Sequence, residues 1–70
     1  MSRYHVFKGT RGYEGRPYQG PSNNGLPAEA DTLAEVKLLR ERLIERNPGV
    51  GWGVYDTHKR KNLNVKQVFG

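Results

Sequence analysis

A stretch rich in glycine and proline, residues 9–30, most restricts how this chain can fold. It contains five glycines, three prolines and the pair Asn23-Asn24, and residues of these types favour turns over helices and strands. A connection of about 20 residues without regular structure is uncommon inside a compact domain, and such loops are usually functional or disordered. We therefore predict a flexible loop over residues 9–30, with regular elements on both sides of it.

The length of the chain sets a second limit. Its 70 residues form one domain at most, and a domain of this size buries only about 60% of the surface that its unfolded chain exposes. The sequence has no cysteine, so a disulfide cannot reinforce the core, and a reducing cytoplasm is the expected compartment. It shows neither a signal-peptide pattern nor a run of about 20 apolar residues that would cross a membrane. We expect a single domain over residues 1–70, a monomer without membrane contact.

Two elements next to the loop are predicted from local patterns. Residues 3–8 contain a β-prone run, YHVF, which predicts the first strand. Thr32 and Glu35 form a capping box that begins a helix, with Asp31 as the competing cap. If the residues after Thr32 form a helix, one stripe of its surface is apolar. Asn47-Pro48-Gly49 is expected to end this helix. The stripe consists of Leu33, Val36, Leu39, Leu43 and Ile44.

The C-terminal third predicts a β-hairpin. Val50, Trp52 and Val54 alternate with glycines and a tyrosine, which places them on one face of a strand with the tryptophan in the core. Leu63, Val65 and Phe69 predict a third strand, antiparallel to the second. The expected fold is α+β: a two-layer β-α-β-β domain with one amphipathic helix on a three-stranded sheet. The sheet face that does not pack on the helix has three possible fates: it is exposed, it is covered by the long loop, or it is used for binding.

Catalytic and metal-binding patterns are lacking. Asp56 and His58 are the one candidate acid–base pair, and their spacing favours a surface pair instead. The glycines at 9, 12 and 15 give G-x-x-G-x-x-G, which matches neither a dinucleotide-binding fingerprint nor a P-loop. The histidines and acids show no zinc-ligand spacing. We expect a protein that is not an enzyme and has no catalytic residue, metal site or cofactor.

Positive charge predicts the kind of partner. The net charge is +5, and the excess lies in residues 1–30 and 48–70, whereas residues 31–47 are neutral. Two groups of residues carry this excess charge: basic and aromatic residues that alternate in the loop, and a compact basic tip on the hairpin. Either one suits an acidic protein surface or nucleic acid, with rings stacked on exposed bases in the second case. The predicted partner-binding residues are Arg11, Tyr13, Arg16 and Tyr18 in the loop, and His58, Lys59, Arg60 and Lys61 at the tip.

Three segments carry a resemblance to known proteins. YHVFKG, TLAEVKLLRERLIERNPG and VGWGVYD followed by a basic turn resemble the small β-α-β modules that bacteriophages encode, over residues 3–7 and 32–56. The long insertion after the first strand departs from the plain module. Some small phage proteins bind the host RNA polymerase. The resemblance implies a regulator in the host-cell cytoplasm that binds RNA polymerase or an associated factor and inhibits or redirects transcription. Direct DNA or RNA binding is the alternative.

Overall fold

The fold combines one main helix with a four-stranded antiparallel sheet. The computed structural model of the protein describes residues 2–69. The strands lie in the order β2-β1-β3-β4, and every neighbouring pair is antiparallel. In chain order, the elements are β1 (Tyr4–Lys8), a 3₁₀ turn (Pro21–Asn23), β2 (Glu29–Ala30), α1 (Leu33–Arg46), β3 (Trp52–Asp56), β4 (Lys61–Asn62) and α2 (Val65–Phe69).

The prediction of a small α+β domain is confirmed, but the prediction of three strands is wrong. A strand of two residues, β2, ends the long connection and pairs with the start of β1. The hairpin partner of β3 is Lys61–Asn62, and residues 65–69, predicted as strand, form α2 instead. Asn64 accepts a hydrogen bond from the Gln67 N–H through its side chain (3.2 Å). Val65 and Phe69 are four residues apart, so a helical turn places both on the side that packs against the core.

Helix α1 begins and ends where the sequence predicts. Thr32 is its N-cap, and its hydroxyl oxygen accepts a hydrogen bond from the Glu35 N–H (3.2 Å). The Glu35 carboxylate accepts a second bond from the same hydroxyl (2.9 Å), so Glu35 holds the capping side chain itself. Asn47 follows as the C-cap. Hydrogen bonds at both caps therefore define the ends of the helix.

The core lies between α1 and one face of the sheet. Alternate residues of β1 and β3 point toward the helix, and Trp52 is only 3% exposed, as predicted. Arg40 lies at the rim of the helical stripe, and its Nε donates a hydrogen bond to the Trp52 carbonyl (2.8 Å). Arg40 therefore has a structural role, because this hydrogen bond joins α1 to β3. The buried residues of the core are Tyr4, Val6, Ala28, Ala30, Val36, Leu43, Trp52 and Val54.

The opposite sheet face, called the outer face below, is shaped by a glycine. Gly53 pairs with Phe7 across β1 and β3, and the Phe7 ring lies over it so closely that an added Cβ would be 2.5 Å from Cζ. The glycines of this strand predict either a close approach of another backbone or a flat patch on this face. At Gly53 it is a side chain, the Phe7 ring, that makes the close approach.

Substituting Gly53→Ala is expected to lower the free energy of unfolding by about 1–2 kcal/mol, because the buried Phe7 ring must shift. Chemical denaturation measures the loss. Gly49→Ala is the matched control, because an added Cβ there has no neighbour within 4 Å. Equal stability of the two variants would contradict the close packing of Phe7 on Gly53.

Candidate functional site

The long connection is tied to the free edge of β1. The Tyr18 N–H donates to the Val6 carbonyl (2.7 Å), and the Val6 N–H donates to the Ala28 carbonyl (2.8 Å). The Ala28 N–H in turn donates to the Tyr18 carbonyl (2.7 Å). These three bonds extend the antiparallel edge beyond β2 and divide the connection into two shorter loops. The candidate site is built on the first of them, residues 9–17.

Tyr13 folds back from this loop onto the outer face. Its ring is stacked on Tyr55 at a centroid distance of 3.8 Å and an interplanar angle of 6°, and the Phe7 ring contacts it edge-on at 5.8 Å. The Tyr13 hydroxyl shares a hydrogen bond with Nδ1 of the buried His5 (2.8 Å), whose Nε2 lies 3.8 Å from the Glu29 carboxylate. Burial, with Tyr55 adding to it, raises the pKa of the Tyr13 hydroxyl. Tyr13 therefore fastens the loop to the sheet.

Tyr18 packs on the helix side of the sheet. Its ring meets Trp52 edge-on at a centroid distance of 4.9 Å, and its hydroxyl accepts a hydrogen bond from the Ser22 N–H (3.3 Å). Hydrogen bonding by Ser22, helped by the charge of Lys8, lowers the pKa of this hydroxyl. The Lys8 Nζ lies 5.4 Å from the ring centroid, within range of a cation–π contact. The two predicted binding tyrosines thus lie on opposite faces of the sheet, and each packs against other side chains of the chain.

The last residue of β1 and the arginines of loop 9–17 line a groove. Lys8, Arg11 and Arg16 are its basic residues and Glu14 its acid; we call this surface the basic groove. Arg11 and Arg16 are exposed, and the Arg11 N–H donates to the Lys8 carbonyl (3.3 Å) at the start of the loop. The groove has a volume of about 560 Å³. Its lining consists of Lys8, Thr10, Arg11, Gly12, Glu14, Arg16, Pro17, Tyr18 and Gln19.

The predicted basic tip follows β3 directly. His58, Lys59, Arg60 and Lys61, which we call the basic turn, are all exposed. Arg60 has a φ of +55°, the left-handed conformation that reverses the chain between β3 and β4. No side chain of this turn lies in the core, so its charges face outward.

Buried Asp56 organises the basic turn, and the sequence did not predict this role. Asp56 is 1% exposed. Its Oδ1 accepts hydrogen bonds from the N–H groups of His58 (2.9 Å) and Lys59 (3.2 Å). Both carboxylate oxygens also accept from Arg3, at 3.2 Å from Nε and 3.1 Å from the terminal nitrogen. The predicted surface pair of Asp56 and His58 is therefore wrong in one respect: the carboxylate is buried, and it contacts the backbone of His58.

The acid limb of the stability curve is expected to depend on Asp56. The hydrogen bond from Arg3 lowers the pKa of this carboxyl, and the N–H groups of Lys59 and His58 act in the same direction. A lowered pKa in the folded state gives stability that is fully present above the unfolded value, about 3.9, and is lost as the pH falls through the folded value. Denaturation at pH 7 down to pH 2 should therefore show a steeper loss below about pH 4 in the wild type than in Asp56→Asn. Parallel curves would contradict the role of this pair.

The basic groove and the basic turn lie at opposite ends of the β1–β3 ladder. Lys8 pairs with Trp52 at the groove end, and Tyr4 pairs with Asp56 at the turn end. Four residue steps separate these pairs, which is roughly 13 Å along a strand. Within residues 2–69, Arg3–Asp56 is the ion pair shorter than 4 Å, and the His5 ring lies 3.8 Å from the Glu29 carboxylate. The cations of both surfaces therefore form no ion pair within 4 Å among these residues.

Residues 2–69 contain no cluster of three or more histidine or acidic side chains placed to hold a metal ion. In the same part of the chain, no helix has the length and apolar character to span a membrane.

Fold and site together define a small α+β protein with two separate basic surfaces on one sheet. Comparison with protein-family models, with curated proteins and with solved structures finds no match for the chain.

Proposed function

We propose that this protein is a non-enzymatic regulator of the bacteriophage type, acting in the host-cell cytoplasm. Its partner is the bacterial RNA polymerase or an associated factor, which it binds through the basic groove and the basic turn. It inhibits or redirects transcription by occluding or displacing a contact of that machinery. The resemblance of residues 3–7 and 32–56 to phage modules supports the choice of this partner.

One observation carries the proposal: exposed cations lie on a backbone that the sheet holds in place. Tyr18 and Tyr13 tie the loop to both faces of the sheet, and Asp56 fixes the turn. A surface held in this way loses little conformational entropy on binding. Unneutralised positive charge favours an acidic partner and speeds the encounter with it.

The positions of the tyrosines weaken the case for stacking on the bases of single-stranded nucleic acid. Stacking on bases requires a ring whose face is free. One face of Tyr13 is occupied by Tyr55, and Tyr18 lies edge-on against Trp52 with Lys8 over its ring. Contacts with phosphates remain possible for the arginines, so direct nucleic-acid binding is an outcome that the experiment must separate.

The test is affinity capture from a bacterial lysate with the tagged protein, with and without nuclease, at two salt concentrations. Recovery of RNA polymerase subunits that survives nuclease and high salt supports the proposal. Recovery only of nuclease-sensitive material that dissociates in salt overturns it in favour of nucleic-acid binding, because release of counterions makes that affinity fall steeply with salt.

Matched charge variants locate the contact surface. The double variants Arg11→Gln/Arg16→Gln and Lys59→Gln/Arg60→Gln each remove two charges, from +5 to +3. Lys37→Gln/Arg42→Gln makes the same change on the exposed side of α1 and serves as the control. Each of the first two variants is expected to weaken capture about tenfold, or 1.4 kcal/mol, and the control to leave it unchanged. Equal effects of all three would mean that net charge alone drives the binding.

A further inference from the structure

We propose that the basic groove is a binding site for a small molecule that carries two or more linked phosphate groups. This site shares the basic groove with the macromolecular contact proposed above, but it does not depend on the identity of the protein partner. It is inferred from the charge, the lining and the fixed walls of the groove.

The charge of the groove is the first step. Three cations, Lys8, Arg11 and Arg16, face it together with one acid, Glu14, and none of the three forms an ion pair within 4 Å among residues 2–69. A single monoanion would neutralise one of these three cations and leave the other two without a counter-charge. Linked phosphates supply several negative charges over a short distance, and arginine binds phosphate through paired N–H groups.

The lining and the size of the groove are the second step. Its volume of about 560 Å³ falls within the range of small-molecule sites, about 300–1,000 Å³. It contains no aliphatic side chain larger than Pro17, which excludes a predominantly apolar ligand. The Thr10 hydroxyl is a further polar group in the lining. Glu14 can accept hydrogen bonds from hydroxyl groups on the remainder of the ligand.

The walls of the groove are fixed before any ligand binds. Gly12 and Gly15 have φ angles of +75° and +90°, which turn the chain between Arg11 and Arg16 in a way that other residues rarely adopt. Tyr13, between these glycines, is fastened to the outer face, and Tyr18 is hydrogen-bonded to β1. Because Arg11 and Arg16 also belong to the proposed partner surface, a bound phosphate compound would compete with the partner there.

The experiment uses the full chain and inorganic pyrophosphate as the probe, followed by backbone amide NMR, with sodium sulfate at equal ionic strength as the reference. Saturable shifts confined to residues 8–19, larger with pyrophosphate than with sulfate, are expected. Arg11→Gln/Arg16→Gln should weaken the affinity about tenfold or more, through loss of charge-assisted hydrogen bonds. Lys59→Gln/Arg60→Gln should leave it within about twofold, because its charges lie at the other end of the ladder.

Three results would overturn the site: equal shifts at the groove and the basic turn, equal responses to sulfate and pyrophosphate, or an affinity that Arg11→Gln/Arg16→Gln does not change. None of these depends on RNA polymerase. A failure of capture from the lysate therefore leaves the result for the groove standing, and a failure here leaves the proposed regulator untouched.

Discussion

Asp56→Ala is expected to lower the free energy of unfolding by about 3 kcal/mol, the lower end of the range for breaking a buried ion pair. The lower end applies because the Arg3 side chain is 34% exposed, so water solvates part of the charge left behind. The variant also loses the two hydrogen bonds from the N–H groups of His58 and Lys59. In a domain of this size, the midpoint of thermal unfolding should fall by on the order of 15 °C.

Thermal denaturation and amide hydrogen exchange measure this effect. Asp31→Ala is the matched control, because Asp31 is an exposed acid, and we expect it to change stability by less than about 0.5 kcal/mol. Asp56→Asn should fall between the wild type and Asp56→Ala, since the amide oxygen still accepts a hydrogen bond but carries no charge. In Asp56→Ala, the amides of His58 and Lys59 should exchange faster than those of β3. Uniform loss of protection across the sheet would contradict a specific role in the basic turn.

The elements that the sequence predicted correctly are those set by local contacts. The capping residues Thr32 and Glu35 are three positions apart. Four residues of the predicted stripe, which repeat every three or four positions, pack in or against the core, whereas Leu33 is exposed. The burial of Trp52 follows from an alternation over five residues. In each case, the interaction that fixes the element joins residues close together in the chain, so a pattern in a short window reveals it.

Two features that the sequence did not predict, strand β2 and the Arg3–Asp56 pair, depend on distant pairings. Strand β2 has two residues and exists because Glu29 and Ala30 pair with the start of β1. Arg3 and Asp56 are 53 positions apart. A local signal for part of this arrangement was present, since an aspartate that begins a turn often accepts hydrogen bonds from N–H groups two and three residues later. The ion pair of Asp56 with Arg3 had no local signal in the sequence.

The fold places the predicted binding residues of the loop on different surfaces. Basic and aromatic residues alternate between positions 8 and 18, and the sequence predicted that those of the loop bind one partner together. The two glycines with positive φ, Gly12 and Gly15, reverse the chain instead. The rings then pack on the sheet, whereas Arg11 and Arg16 stay exposed. Alternation along a sequence predicts a common surface only where the backbone is regular.

Tyr13→Ala is expected to release the groove loop from the sheet and to lower the free energy of unfolding by about 2–4 kcal/mol. The variant loses the stacking on Tyr55 and the edge contact with Phe7, each contributing about 0.5–1.5 kcal/mol beyond area burial. It also loses the hydrogen bond to the buried His5, worth about 1 kcal/mol. Amide exchange in residues 9–17 should become faster than in β1.

Tyr13→Phe separates the ring from the hydroxyl. It keeps the stack and loses only the hydrogen bond to His5 Nδ1, so a loss of about 1 kcal/mol is expected, with the loop still protected from exchange. If the fastened loop also creates the basic groove, pyrophosphate should bind Tyr13→Phe nearly as well as the wild type and bind Tyr13→Ala weakly. Equal loop exchange and equal affinity in all three proteins would mean that the backbone bonds of Tyr18 alone hold the loop in place.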